Sequence, residues 1–87
     1  MKQLFFVEMT DTYGGEANYS WVWRYMVSAK SMLGAIRKVT RETGYPARKD
    51  FDCSDTARYN VPGACICYFV SYSDGREVER YSSMVQL

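Results

Sequence analysis

The amino-acid sequence predicts an α+β fold in which an antiparallel sheet of four to five strands carries one helix on one face, in the order β-β-α-β-β with a further strand at the end. Residues 19–27 alternate with the two-residue period of a strand, and residues 29–43 repeat apolar side chains at helical spacing. The apolar runs that follow are separated by turn-forming Pro, Gly and Asp. A chain of 87 residues corresponds to a single domain, residues 1–87.

The first two strands come from the aromatic N-terminal third. Residues 4–9 are apolar and rich in Phe and Val, and turn-forming residues at 11–16 then end this run. The second strand, 19–27, places one stripe of large side chains on one side: Tyr19, Trp21, Trp23, Tyr25 and Val27. Such a stripe is either the core beneath a helix or a surface for contacts with bases or proteins. We favour the core, which leaves Arg24 outside.

The helix is predicted over residues 29–43. Met32, Ile36 and Val39 recur at three and four residues, which is helical spacing. A serine precedes the apolar stripe and can cap its start. Gly44 supplies a left-handed residue at the end, followed closely by Pro46.

The remaining chain is predicted to form strands joined by tight turns. A polar connection at 47–50 leads to a short strand around 56–61 and, after a Pro-Gly turn, to an apolar central strand at 64–72. An Asp-Gly hairpin turn then leads to 77–81, which we predict to be an edge strand whose two glutamates face solvent.

The residue types present argue against catalysis. The sequence contains no histidine, which removes the commonest general base and the Ser-His and Cys-His nucleophile pairs. Zinc normally needs four Cys or His ligands, and only Cys53, Cys65 and Cys67 are present. The carboxylates around residues 50–55 suit turns and caps. We therefore predict a protein that is not an enzyme, with no cofactor and no metal site.

The N-terminal sequence indicates a cytoplasmic location. The apolar run at residues 4–7 is followed at once by Glu8, whereas a segment that crosses a bilayer needs about 20 apolar residues. We expect no membrane association, and we expect the three cysteines to be reduced.

Positive charge is concentrated in the middle of the chain, although the net charge is only +1. Residues 24–49 hold one acid, Glu42, and seven cations: Arg24, Lys30, Arg37, Lys38, Arg41, Arg48 and Lys49. A shared patch of these side chains would attract phosphates or an acidic protein. The alternative is that the cations near the end of the helix only oppose its macrodipole. Both interpretations are open at this point.

A second candidate contact region is the turn between the first two strands. Gly14 and Gly15 form a flexible connection, flanked by Tyr13 and Glu16. Loops of this kind often carry binding function. Tyr13 and Glu16 are therefore candidate contact residues beside the basic ones.

The stretch at residues 11–22, DTYGGEANYSWV, together with AIRKV at 35–39, resembles small uncharacterised proteins encoded by bacteriophages and prophages. The resemblance implies a compact accessory protein that binds host machinery, a class that includes anti-CRISPR and other anti-defence inhibitors. We therefore expect a non-enzymatic interaction protein that binds and modulates a host protein or protein–nucleic acid complex in the host cytoplasm. The alternative is direct nucleic-acid binding through residues 24–49.

Overall fold

The computed structural model describes residues 2–87, which form a six-stranded mixed sheet with two helices. The elements are β1 (Gln3–Tyr13), β2 (Glu16–Ala29), α1 (Met32–Thr43), β3 (Arg48–Cys53), β4 (Thr56–Asn60), β5 (Ile66–Ser73), α2 (Glu77–Arg80) and β6 (Met84–Gln86). Across the sheet the strands lie in the order β3-β4-β5-β1-β2-β6. Neighbours are antiparallel except β2 and β6, which are parallel. The predicted α+β class is confirmed.

Local capping chemistry sets the bounds of α1. The Ser31 hydroxyl accepts a hydrogen bond from the Gly34 backbone N–H at 3.0 Å. Gly44 adopts φ 80°, and its N–H donates to the Thr40 carbonyl at 2.8 Å, which ends the helix as predicted. The predicted start at 29 is three residues too early. Ala29 still pairs with Gln3 of β1, so the strand continues to that point.

The core lies between α1 and one face of the sheet. Alternate residues of β1, β2, β4 and β5 point towards the helix, as the two-residue period of a strand requires. The buried cluster consists of Phe5, Val7, Met9, Tyr25, Val27, Ala29, Ala35, Ile36, Val39, Ala57, Tyr59, Val61, Tyr68 and Val70. The burial of this face supplies most of the favourable free energy of folding.

The opposite side, called here the second face, is held by polar and aromatic contacts. The ring of Phe6 stacks on Tyr81 with 5.7 Å between centroids. The Arg24 guanidinium lies 3.9 Å from the Tyr81 centroid, and its Nε is 2.8 Å from Glu8 Oε2. These contacts fix the segment after β5 against the sheet.

The predicted strand count and the purely antiparallel arrangement are wrong. Residues 48–50, which belong to the predicted polar connection at 47–50, begin the edge strand β3, and all six side chains of this strand are exposed. It pairs only with β4 and has no buried face, so it lacks the alternation by which strands are recognised. The three-residue β6 is too short to give a pattern.

The predicted edge strand at 77–81 is also wrong. Gly75 adopts φ 96°, and the Asp74 carboxylate accepts a hydrogen bond from the Arg76 backbone N–H at 3.2 Å. The Ser73 hydroxyl bonds to the Glu77 carboxylate. These contacts turn the chain into the single helical turn α2, so the sheet carries a second helix in place of the predicted hairpin.

Neither of the two helices described within residues 2–87 is long and apolar enough to cross a membrane.

Candidate binding surfaces

Five cations surround one concavity of about 370 Å³, called here the basic groove. Its lining residues are Lys2, Ala29, Lys30, Gly34, Arg37, Lys38 and Arg41. Four of the seven predicted basic residues therefore meet in one place. None of the lining residues is acidic, and none of the five cations forms an ion pair within residues 2–87.

The fold explains how these side chains converge. Ile36 and Val39 are buried against the sheet, so Arg37 and Arg41, four residues apart, lie together on the solvent side of α1. The Lys38 ammonium donates to the Ser28 carbonyl at 2.5 Å, which ties this flank of the helix to the end of β2.

Lys2 is the member of the groove that the sequence analysis missed. The antiparallel pairing of Gln3 with Ala29 places the start of β1 beside the chain that enters α1. Positions 2 and 30 are therefore neighbours in space. Lys2 could have been predicted only from this hairpin register. In the charge pattern it is a single cation near several acids, so the N-terminal segment is classed as acidic.

The helix macrodipole does not explain the whole basic cluster. Arg41 is the basic residue in the last turn of α1, where a cation favourably opposes the dipole. Arg37 and Lys38 lie earlier in the helix, and the dipole effect falls off beyond the terminal turn. The dipole therefore does not account for these two cations, of which Lys38 is bonded to the Ser28 carbonyl and Arg37 is exposed to solvent.

The other three predicted cations lie elsewhere. Arg24 is on the second face of the sheet, paired with Glu8. Arg48 and Lys49 lie on the edge strand β3, where Lys49 pairs with Asp52. The cations of residues 24–49 thus fall into two groups: four that line the basic groove beside α1, and three that lie apart from it.

Tyr13 and Glu16 close the β1–β2 hairpin at its tip. Gly14 and Gly15 adopt φ of 63° and 85°, which a tight turn of this hand requires. The Tyr13 side chain is 82% exposed, and Glu16 is exposed as well. This tip is far from the basic groove along both strands, so the two predicted contact regions are separate surfaces.

Residues 11–22 include an irregularity of this hairpin, where the register shifts between Thr10 and Thr12. The Asp11 carboxylate accepts hydrogen bonds from the Ser20 hydroxyl at 2.5 Å, the Asn18 amide at 2.9 Å and the Ser20 backbone N–H at 2.9 Å. These donors, the Ser20 hydroxyl first, hold the pKa of Asp11 well below its ordinary value of 3.8. Every donor comes from the hairpin itself, so Asp11 stabilises the local backbone conformation of this hairpin.

A second concavity of about 300 Å³, called here the aromatic pocket, lies between β2 and the C-terminal end of α1. It is lined by Met9, Trp23, Tyr25, Glu42, Thr43, Tyr45 and Val85. The favoured core interpretation of the stripe of large side chains on β2 is correct for Tyr25 and Val27, which are buried, and wrong for Tyr19, Trp21 and Trp23, which are exposed. The reason is that β2 extends past the end of α1, so the helix covers only the later part of the strand.

The three thiols occupy different environments. Cys53 and Cys65 are exposed, and Cys67 is buried. Burial raises the pKa of the Cys67 thiol above its ordinary value of 9.0, although the nearby Arg58 opposes the shift. Cys67 therefore stays protonated at neutral pH and is a packing residue in the second face.

No protein family, curated protein or solved structure matches the chain. The function is therefore inferred from the two concavities, which differ in charge and in lining chemistry.

Proposed function

We propose that the chain is a non-enzymatic interaction protein whose basic groove docks on an acidic surface of a protein partner. The observation that carries the proposal is the convergence in one concavity of five cations that form no ion pair within residues 2–87. They come from the residue before β1, the β2–α1 connection and α1. The resemblance of residues 11–22 to phage proteins favours a bacterial host complex in the host cytoplasm as the partner. Binding there would modulate the host complex.

Two features favour an acidic protein over a nucleic acid. The groove has no aromatic lining residue on which a base could stack. The net charge is only +1, so the rest of the surface adds little attraction for a long polyanion that extends beyond the groove. A localised acidic patch on a protein would need contacts with the groove alone in order to bind.

Direct nucleic-acid binding is the second candidate. Two arginines and three lysines in one groove present the donors that phosphate oxygens accept. Contacts of this kind position a protein on the phosphate backbone without reading sequence.

The first prediction is that reversing the charge of the groove abolishes partner binding. In the double variant Arg37→Glu, Arg41→Glu, both changes are on the solvent face of α1, so the fold is retained. Some host proteins will co-purify with the unchanged chain from a bacterial lysate. The recovered amount of the specific partner should fall at least about tenfold with this variant, as expected when close charge pairs are lost. Quantitative mass spectrometry measures it.

The matched control is Arg48→Glu, Arg80→Glu, which changes the net charge equally at two exposed sites outside the groove. It should retain the partner. Equal recovery with both double variants would contradict the proposal. Loss of recovery after nuclease treatment, with an affinity for DNA or RNA that falls steeply with salt, would instead support the nucleic-acid candidate.

A further inference from the structure

The aromatic pocket combines three rings with one carboxylate. Trp23 and Tyr25 come from β2, Tyr45 follows the end of α1, and Glu42 lies in the last turn of α1. Trp23 is 55% exposed and Tyr45 is 44% exposed, so both rings are accessible from solvent. The volume of about 300 Å³ is at the lower limit of the range for small-ligand sites.

The wall formed by Tyr45 is fixed by hydrogen bonds to the core. Its carbonyl accepts a bond from the Tyr68 hydroxyl at 2.9 Å, and its N–H donates to Thr43 Oγ1 at 3.3 Å. Thr43 Oγ1 is itself 2.7 Å from the Tyr68 hydroxyl. The opposite wall is β2, held in the sheet by pairing of Trp23 with Met9. The backbone of both walls is thus held in place by the fold itself.

The pocket has a negative electrostatic character. The Glu42 carboxylate forms no ion pair with any described residue. It lies at the C-terminal end of α1, where the unpaired carbonyls add partial negative charge. Burial first, and then the nearby Tyr68 and Glu42, raise the pKa of the Tyr25 phenol above its ordinary value of 10.0. Tyr25 is therefore neutral at physiological pH, and Glu42 is close enough to Tyr25 to contribute to the raised pKa.

This combination selects one class of ligand. Ring faces of Trp and Tyr attract cations, and the attraction is greatest when the cation is removed from water. Met9 and Val85 supply apolar contact for methyl or methylene groups. An anion would be repelled by Glu42 and by the end of α1, and a neutral ligand would gain no electrostatic attraction from either.

We propose that the aromatic pocket binds an organic ammonium ion, with the ring faces of Trp23 and Tyr45 against the cation and Glu42 balancing its charge. The shared chemistry is an alkylammonium head, supplied either by a free quaternary amine or by a lysine side chain. This site shares no lining residue with the basic groove, and its ligand is a cation whereas the groove would take an acidic surface.

The second prediction concerns choline and its neutral isostere 3,3-dimethylbutan-1-ol. Choline should shift the indole N–H signal of Trp23 in a saturable NMR titration, because the cation lies against that ring. The isostere has the same shape without the charge, and should bind about three- to tenfold more weakly. A titration with N-acetyl-lysinamide then separates the sources, since comparable binding assigns the site to lysine side chains and weaker binding assigns it to quaternary amines.

Two variants test the roles of the residues. Glu42→Gln, an isosteric change at an exposed position, should weaken choline binding about two- to fivefold, whereas the matched control Glu79→Gln on α2 should leave it unchanged. Trp23→Leu should weaken it about three- to tenfold. Absence of a saturable shift with both cationic probes, equal affinity for the isostere, or an unchanged affinity in Glu42→Gln would each overturn the proposal.

Discussion

The Tyr68 hydroxyl shows how one buried polar group links the core to a surface. Tyr68 is fully buried in the central strand β5, yet its hydroxyl bonds to Thr43 Oγ1 and to the Tyr45 carbonyl. A buried polar group left without a partner costs free energy, so all three groups are held in place together. The same contacts that satisfy the core also position one wall of the aromatic pocket.

The third prediction is that Tyr68→Phe destabilises the protein by about 1–2 kcal/mol, because the Tyr45 carbonyl loses a buried donor. Urea unfolding measures the difference in the free energy of unfolding. Tyr72→Phe makes the same chemical change on the same strand at a ring that is 52% exposed, and should change stability by less than about 0.5 kcal/mol. Equal effects of the two substitutions would show that the hydroxyl contacts do not contribute.

Individual side chains also show why the basic block could be predicted only in part. Helical spacing was sufficient to place Arg37 and Arg41 on one side of α1. Arg24 was grouped with them because it is near in sequence, and nothing in the charge pattern indicates that Glu8 lies opposite it across the β1–β2 ladder. Register between strands, which depends on tertiary packing, was the missing information.

At the scale of the element, two glycines of the α1 region have opposite roles. Gly44 has φ 80°, a conformation that other residues adopt only with strain, although there is open space for a side chain. Gly34 has ordinary helical geometry, and a methyl group there would lie 3.4 Å from Ser31 Oγ and 3.6 Å from Ala29 Cβ. The two positions therefore differ in backbone conformation, and not in the space available for a side chain.

The fourth prediction follows from this difference. Gly44→Ala should lower the free energy of unfolding by about 1 kcal/mol, because the left-handed conformation becomes strained. Gly34→Ala should raise it by about 0.5–1 kcal/mol, because alanine loses less backbone entropy on forming a helix. Each glycine is the control for the other in a thermal or urea unfolding series. A change of the same sign at both positions would contradict the interpretation.

Elements with a buried face were predictable, and those without one were not. α1 was identified because Ile36 and Val39 repeat at helical spacing, and β2 because its aromatic residues alternate. β3 has no buried side chain, and β6 has only three residues, so neither carries a periodic signal. Contacts made by Ser73 and Asp74 decided the helical turn at α2, and such local side-chain bonds are invisible to periodicity.

At the scale of the whole molecule, stability should decrease from the centre of the sheet to its edges. The radius of gyration is 12.0 Å, close to the roughly 12 Å expected of a compact chain of this length. β1 pairs along most of its length with β2 on one side and β5 on the other. β3 has one neighbour and no buried side chain.

The fifth prediction is that amide protons in β1 and β5 exchange with solvent at least about tenfold more slowly than those in β3, because opening the central pairs requires disruption of the core. Hydrogen exchange followed by NMR measures this residue by residue. Protection of β3 equal to that of β1 would show that the sheet opens as one cooperative unit.

The central position of β1 has a consequence for synthesis on the ribosome. The strand is translated before α1 and well before its neighbour β5. At roughly 5–20 residues per second, several seconds separate β1 from β5, and Phe5 and Val7 gain the helix above them and the second neighbouring strand only as α1 and then β5 emerge. The apolar face of β1 is therefore incompletely covered on the nascent chain until β5 has left the exit tunnel.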